Sequence, residues 1–204
     1  MIEFSCWGCG ERFSVPDSAA GRNVRCKKCQ RELVVPVPAG NVTAQAAIAP
    51  MRQRRLRSDH QHMTKVFASW NLARIESAVG DPPEKYVIEL NVKGLEMNGG
   101  TEPKVRDVHR VEIQLVSEYP RLGPKCRMLT PIFHPNIDPA TICVGDHWTA
   151  GERLADLVVR IGEMIGYQAY NIQSPLNAEA AMWADLHGDR LPIDNRNLRP
   201  PELG

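Results

Sequence analysis

The stretch LTPIFHPNIDPATICVGDHW, Leu129 to Trp148, interrupts the regular patterns on either side of it. It places Pro131 and Pro135 ahead of a single cysteine, Cys143, and lacks the periodicity of a helix or a strand. Proline fixes its own φ and restricts the residue before it. Because irregular backbone on a rigid scaffold is where reactive side chains tend to lie, the stretch predicts a stiff loop that presents one thiol.

Length and composition allow one ordinary domain and a small accessory module. The chain has 204 residues, 43% of them hydrophobic and 24% charged. No apolar run approaches the roughly 18 residues of a membrane helix, so no membrane partner is expected. The start, MIEFSCWGCG, lacks the basic and apolar regions of a secretory signal. We therefore expect a cytoplasmic protein with reduced thiols, in which paired cysteines indicate a metal.

The charge is unevenly divided although the net charge is only +1. Residues 1–65 hold 11 Lys and Arg against 5 Asp and Glu. A basic front end can bind nucleic acid or an acidic protein surface, and a solvated face is the alternative. Nucleic acid is therefore one possible partner of this region.

The first 36 residues contain a repeat of 20 residues. CWGCGERFSVP starts at Cys6 and CKKCQRELVVP at Cys26, and each joins a Cys-x-x-Cys turn to a Val-Pro pair. Two such turns can supply four thiolates to a closed tetrahedral site, and a module this short needs metal to fold. Residues 1–36 are predicted as a zinc ribbon whose structural Zn²⁺ is held by Cys6, Cys9, Cys26 and Cys29. Paired redox motifs are the alternative, but the βαβ pattern that they require is missing.

The following segments are a linker and a helix. Residues 37–50, VPAGNVTAQAAIAP, are rich in proline and small residues and carry no charge, which is typical of a linker. In the next segment the apolar residues recur at helical spacing. Four arginines crowd the start of this helix: Arg52, Arg54, Arg55 and Arg57.

The remainder reads as strands followed by helices. YVIELNV and HRVEIQLV alternate apolar and polar residues, and KCRML is a third, short strand. Their close spacing favours an antiparallel meander. TAGE, residues 149–152, is a capping box that predicts a helix up to Gly166, and a last helix is predicted from Asn177 to His187. The fold class is therefore α+β.

Several short motifs occur in the order found in ubiquitin-conjugating enzymes. They are Tyr119-Pro120, His134-Pro135-Asn136, Cys143, a following Trp, a helix and Pro175-Leu176-Asn177. The chain from about residue 52 to about 188 resembles this family, as a divergent, bacterial-type member. The resemblance implies a ubiquitin-conjugating-enzyme-like fold over residues 51–190, with an N-terminal helix, an antiparallel meander, an active-site loop and C-terminal helices. Residues 191–204 are left as a tail.

The resemblance also implies a reaction. Cys143 would accept the C-terminal glycine of a ubiquitin-like protein as a thioester from an adenylating activating enzyme, and then transfer it to a lysine of a protein substrate. Asn136 would donate its amide to the tetrahedral oxyanion, although an asparagine that ties down loop backbone is the alternative. His134 and Pro135 would shape the loop. The arginine cluster would dock the activating enzyme.

The chain departs from the family near the predicted site. The interval between Asn136 and Cys143 is one residue shorter than usual. Where many members carry an acidic residue that orients the incoming lysine, this chain has Ser174. Asp146 could substitute for that acid.

Two other functions compete with conjugation. A cysteine hydrolase would use Cys143 with His134 or His147 as its base. A non-catalytic module would keep the fold only to bind ubiquitin-like proteins.

Cys126, on an alternating strand, is predicted to be a buried apolar residue.

Overall fold

The computed structural model describes residues 1–36, 50–144 and 148–203. The predicted linker lies outside these ranges except for Pro50. The chain forms two compact units, Met1–Arg54 and Arg55–Gly204.

Within residues 1–36, the 20-residue repeat folds as two antiparallel hairpins. In the first hairpin, β1 (Ile2–Ser5) pairs with β2 (Arg12–Val15). In the second, β3 (Asn23–Arg25) pairs with β4 (Glu32–Val34). Each hairpin carries one Cys-x-x-Cys turn between its strands.

The two turns share one backbone geometry. In each, the N–H of the first cysteine donates to the carbonyl five residues later, at 2.8 Å. The chain reverses through a positive φ at Gly10 (73°) and at Gln30 (60°). Glycine reaches this region freely, whereas a glutamine needs the turn to hold it there. The sequence repeat is therefore also a structural repeat.

A long helix, α1 (Met51–Ser69), leads into the second unit. Eight strands follow it in the described ranges: β5 (Ala73–Gly80), β6 (Pro83–Leu90), β7 (Gly94–Glu96), β8 (Lys104–Arg106), β9 (His109–Gln114), β10 (Lys125–Met128), β11 (Ile137–Asp138) and β12 (Thr141–Ile142). Four of these eight form one antiparallel sheet with neighbours in the order β10-β9-β6-β5. β7 pairs with β8, and β11 with β12. The predicted α+β fold with an antiparallel meander is confirmed.

Alternation along the strands builds the core. Tyr86 lies opposite Ile113 and Ile88 opposite Val111, and all four side chains are buried. Successive residues of a strand point to opposite faces, so these side chains share one face of the sheet. The same hydrophobic cluster contains residues of the flanking helices, among them Leu56, Met63, Leu157 and Ile161.

Strand β5 is not predicted by the sequence pattern. Its sequence, ARIESAVG, has no clean alternation, and most of its residues are exposed. As an edge strand it pairs only with β6 in the described sheet, so it needs little apolar patterning. A turn through Gly80 joins the two strands, with φ at 109°. A Cβ at Gly80 would lie 3.0 Å from the carbonyl oxygen of Pro82.

Two helices follow the stretch from Leu129 to Trp148. The first, α2 (Leu154–Ile165), is the predicted helix, but the predicted capping box at its start is wrong. Its N-cap residue is Arg153, which makes no side-chain cap bond. The Glu152 carboxylate lies 2.9 Å from the Arg160 guanidinium, further along α2.

The last helix, α3 (Ala178–Leu186), begins as predicted. The side chain of Asn177 caps it by accepting a hydrogen bond from the Ala180 N–H at 3.0 Å. The residues after 190, predicted as a tail, pack back on this unit and contribute Leu198 to its main core. No helix in the described ranges is long and apolar enough to cross a bilayer.

Candidate active site

Cys143 directly follows a tight hairpin. In the β11–β12 pair, Ile137 lies opposite Ile142. Asn136 and Cys143 flank that pair, and the Cys143 N–H donates to the Asn136 carbonyl at 3.2 Å. The short interval between them is therefore the length of one small hairpin, which sets the backbone of the two residues side by side.

The loop before the hairpin is fixed from two sides. The Phe133 N–H donates to the Leu95 carbonyl in β7 at 2.7 Å. The Pro135 carbonyl accepts from the N–H groups of Leu176 and Asn177, at 2.8 and 3.0 Å. The His-Pro-Asn and Pro-Leu-Asn motifs therefore contact each other through backbone hydrogen bonds.

The amide of Asn136 is bound to the backbone of Asn171. Its Oδ1 accepts from the Asn171 N–H and its Nδ2 donates to the Asn171 carbonyl, both at 2.7 Å. The residue is buried, with 8% of its surface exposed. An amide nitrogen carries two hydrogens, so one N–H of Asn136 is left for another acceptor.

His134 is a buried, neutral member of the loop. Its Nδ1 accepts a hydrogen bond from the Asn136 N–H at 3.0 Å, which requires that nitrogen to be unprotonated. Burial lowers the pKa of His134 to about 3, and the Met164 backbone partly opposes that shift. The imidazole therefore remains uncharged at neutral pH.

Tyr167 supports the same loop and is not identified by the sequence analysis. Its hydroxyl donates to the Phe133 carbonyl at 2.6 Å, and its ring centroid lies 4.7 Å from that of His134. It is buried and has a φ of 55°, rare for a non-glycine residue. The sequence offers one signal for this role: a tyrosine, whose apolar ring carries a polar hydroxyl, lies immediately after the predicted end of the helix.

A cavity of about 520 Å³ brings several predicted site residues together. It is lined by Asn136, Cys143, Arg160, Glu163, Met164, Ala169, Tyr170, Asn171 and Ser174. Cys143 is half-buried and Ser174 is exposed. His134 and Pro135 are buried in the loop and do not line the cavity. Asp146 and His147 lie outside the described residues.

Arg55 differs from the exposed docking charge that the sequence suggests. Its guanidinium contacts the Asp59 carboxylate at 2.6 Å and the Ala150 carbonyl at 2.6 Å, and it also donates to the Glu152 carbonyl. Asp59 is buried and accepts a further bond from the Tyr119 hydroxyl. Arg55 therefore joins α1 to the segment before α2, and its positive charge is paired with the Asp59 carboxylate inside the unit.

The other predicted arginines differ among themselves in exposure. Arg54 and Arg57 are exposed on α1, whereas Arg52 is half-buried. The charges that remain at the surface are therefore those of Arg54 and Arg57.

The four cysteines of the first unit form a candidate metal centre. Their sulfur atoms all lie within 4.8 Å of one another. The Cys6–Cys29 and Cys9–Cys26 sulfur distances are both 3.6 Å. Four sulfurs about 2.3 Å from a tetrahedral zinc would be about 3.8 Å apart, so the donor set fits that ion. The Gly8 N–H also points at the Cys6 sulfur, at 3.4 Å.

Cys126, the remaining cysteine, is buried in the sheet. Burial raises the pKa of its thiol to about 12, and the nearby Arg160 charge partly opposes that shift. Cys126 is therefore a buried core residue, as the sequence pattern predicts.

Comparisons with known proteins agree with this architecture. Residues 101–189 match the sequence profile of the family described as "Ubiquitin-conjugating enzyme". The NEDD8-conjugating enzyme ubc12 of Schizosaccharomyces pombe is 34% identical over 106 residues, covering 50% of this chain and 58% of that protein. The SUMO-conjugating enzyme UBC9 of Caenorhabditis elegans is 28% identical over 79 residues, covering 36% of this chain and 46% of that protein.

Ubiquitin-conjugating enzyme E2 T of Bos taurus is 31% identical over 91 residues, covering 41% of this chain and 46% of that protein. The chain thus spans about half the length of the curated relatives it matches. A solved structure described as a ubiquitin conjugating enzyme from Trypanosoma cruzi superposes with a TM-score of 0.51 at 17% identity, over 68% of this chain and 93% of that one. The resemblance to ubiquitin-conjugating enzymes is confirmed over residues 101–189, and the second unit has the fold of a solved structure described by that name.

Proposed function

We propose that this chain is a conjugating enzyme that carries a ubiquitin-like protein as a thioester on Cys143 and transfers it to an amine, in particular that of a lysine. The observation that supports this most directly is the half-buried Cys143 beside Asn136, in one cavity of the unit that resembles ubiquitin-conjugating enzymes. A cysteine thiol needs less activation than a hydroxyl, so the reaction does not require a strong base beside Cys143.

The chain has to supply position and charge stabilisation rather than a strong base. Thioester exchange is nearly balanced in energy, and the attacking amine is itself a nucleophile. The hydrogen bonds to Leu95, Leu176 and Asn177 support a loop that does not shift during the reaction. The unused N–H of Asn136 is proposed to donate to the developing oxyanion, and Ser174 to lie beside the incoming amine.

The partners follow from this reaction. They are a ubiquitin-like protein, an adenylating activating enzyme and a protein substrate with an acceptor lysine. We assign the docking of the activating enzyme to the exposed Arg54 and Arg57 on α1, because exposed charges chiefly raise the rate of encounter. The four cysteines of the first unit would hold one structural Zn²⁺, which stabilises the ribbon and takes no part in acyl transfer.

The test is a charging assay with activating enzymes and their ubiquitin, NEDD8 or SUMO-type partners, and with any adenylating enzyme encoded beside this gene. Wild type should form an adduct that reducing agent removes, Cys143→Ala should form none, and Cys143→Ser should form an adduct that resists reduction. Cys126→Ala is the matched control and should charge normally.

The rival functions give different results in the same assay. A hydrolase would cleave generic esters through Cys143 without any activating enzyme. A binding module would retain a ubiquitin-like protein without forming an adduct with any pair tested, and that outcome would refute the proposal.

A further inference from the structure

Arg160 lies on the wall of the active-site cavity. It projects from α2 into the space that Cys143 and Asn136 also line. Among the described residues of that lining it is the one cationic side chain. A guanidinium keeps its charge at physiological pH and offers several N–H donors in a rigid plane.

The donors of Arg160 are only partly used. The side chain is 22% exposed, and its Nη2 lies 2.9 Å from the Glu152 carboxylate. That contact is a charge pair without hydrogen-bond alignment, because neither Nε nor Nη2 has a hydrogen-bond partner among the described residues. Buried donors are rarely left unpaired, so two of them on a side chain that lines the same cavity as Cys143 point to an acceptor that arrives with the substrate.

The other amide donor in the cavity is more restricted. Asn136 commits its Oδ1 and one hydrogen of Nδ2 to Asn171 and retains one N–H. A single neutral N–H stabilises an oxyanion less than a charged donor, whose hydrogen bonds are roughly twice as strong. A second, cationic donor would therefore stabilise the oxyanion further.

We propose that Arg160 is a catalytic residue that donates hydrogen bonds to the acyl oxygen of the thioester on Cys143 as negative charge develops there. This inference rests on the proposed function. The amine nitrogen bonds to the carbonyl carbon, and the carbon–oxygen π pair moves onto the oxygen facing Arg160. When the carbonyl re-forms, the carbon–sulfur bond breaks, Cys143 leaves as thiolate, and the proton lost by the amine neutralises it. The products are an amide and a free thiol.

Two substitutions separate catalysis from folding. Arg160→Gln removes the charge and should slow discharge of the thioester to free lysine by about 10²–10³, the usual loss for one oxyanion donor. Arg160→Lys restores the charge without the planar fork and should recover part of the rate. Glu152→Gln is the matched control: it removes the charge partner of Arg160 and leaves the guanidinium in the cavity, so discharge should stay within about twofold of wild type, since the catalytic donor is intact.

A second measurement needs no partner protein. Iodoacetate and iodoacetamide differ in charge and alkylate the same thiol, so their rate ratio at Cys143, measured by mass spectrometry of its peptide, reports a nearby cation. Arg160→Gln should lower that ratio by on the order of tenfold at low salt, as expected for one charge at short range. Arg160→Lys should retain most of it.

The outcomes separate this inference from the function on which it rests. Wild-type discharge in Arg160→Gln, or an unchanged alkylation ratio, overturns the role of Arg160 and leaves the thioester mechanism standing. Equal slowing in Arg160→Gln and Glu152→Gln with equal loss of melting temperature also overturns it, because the pair would then be structural. A lowered alkylation ratio with no charging by any pair supports the cationic subsite and removes the conjugating function.

Discussion

Replacing Asn136 with alanine should destabilise the second unit as well as slow acyl transfer. An oxyanion role alone predicts a variant that folds normally. The structure adds two hydrogen bonds from this buried amide to Asn171, each 2.7 Å long. Alanine removes both and leaves two backbone groups of Asn171 without their partners.

The size of the effect follows from these two bonds. A hydrogen bond contributes about 1 kcal/mol net, so the pair accounts for about 2 kcal/mol. Asn171 is exposed, which lets water satisfy its freed groups and keeps the cost near that value. For a unit of about 150 residues, about 2 kcal/mol lowers the melting temperature by about 4–8 °C.

Calorimetry or denaturant titration would measure this change, with Asn91→Ala as the control. The Asn91 amide makes one recorded bond, to the Asn71 carbonyl at 3.0 Å, on the surface of the same unit, so its loss should cost less. Discharge rates would then be compared at a temperature where both variants are folded. A stability loss below about 0.5 kcal/mol for Asn136→Ala would refute the view that this amide holds the loop.

Four other changes test the remaining contacts. Tyr167→Phe removes the bond to the buried Phe133 carbonyl and should cost about 1–2 kcal/mol by denaturant titration, whereas a change within about 0.5 kcal/mol would contradict that bond. Arg55→Ala should cost about 3 kcal/mol because it leaves the buried Asp59 carboxylate without its cationic partner, whereas Arg57→Ala should be neutral for stability and should slow charging at low salt. Equal melting temperatures of the two variants would contradict this difference. Elemental analysis should find one zinc per chain, and removing it should unfold residues 1–36 while the second unit keeps its melt; metal-free protein with a folded ribbon would exclude a structural ion. Burial lowers the pKa of His109 to about 4 and that of His134 to about 3, so both side chains bind protons more readily in the unfolded chain. The free energy of unfolding should be at its full value above about pH 6.5 and should fall by about 1.4 kcal/mol per pH unit for each histidine down to about pH 4. A flat profile would show that the two histidines are not buried and neutral.

The sequence predicts those parts of the fold that rest on local pattern. Alternation predicts the buried faces of β6 and β9, and the 20-residue repeat predicts the two cysteine turns. Strand β5 has no such pattern, because an edge strand with exposed side chains is specified by backbone pairing to its neighbour. The capping box at residues 149–152 is also wrong as a helix start, because α2 begins at Leu154 with Arg153 as its N-cap residue.

The candidate site divides in the same way. Residue type and order are enough to single out Cys143 and Asn136. The role of Arg55 cannot be read from a cluster of arginines, because it depends on a buried carboxylate one turn along the helix and on two carbonyls almost a hundred residues away. The role of Tyr167 is not predicted, because it depends on a left-handed backbone conformation and on a hydrogen bond to a carbonyl of another loop.

The stiffness of the active-site loop therefore comes mainly from long-range contacts rather than from its prolines. Pro135 restricts its own backbone. Its carbonyl also accepts hydrogen bonds from two N–H groups of the segment before α3, and these bonds hold the loop in place. Asn136 is fixed on the other side by Asn171, in the stretch that follows α2. An oxyanion donor is effective only if it does not reorganise during the reaction. The length and conformation of the segment from Tyr167 to Asn171 should thus control transfer rate as strongly as the loop residues themselves, even though that segment contains no residue of the predicted motifs.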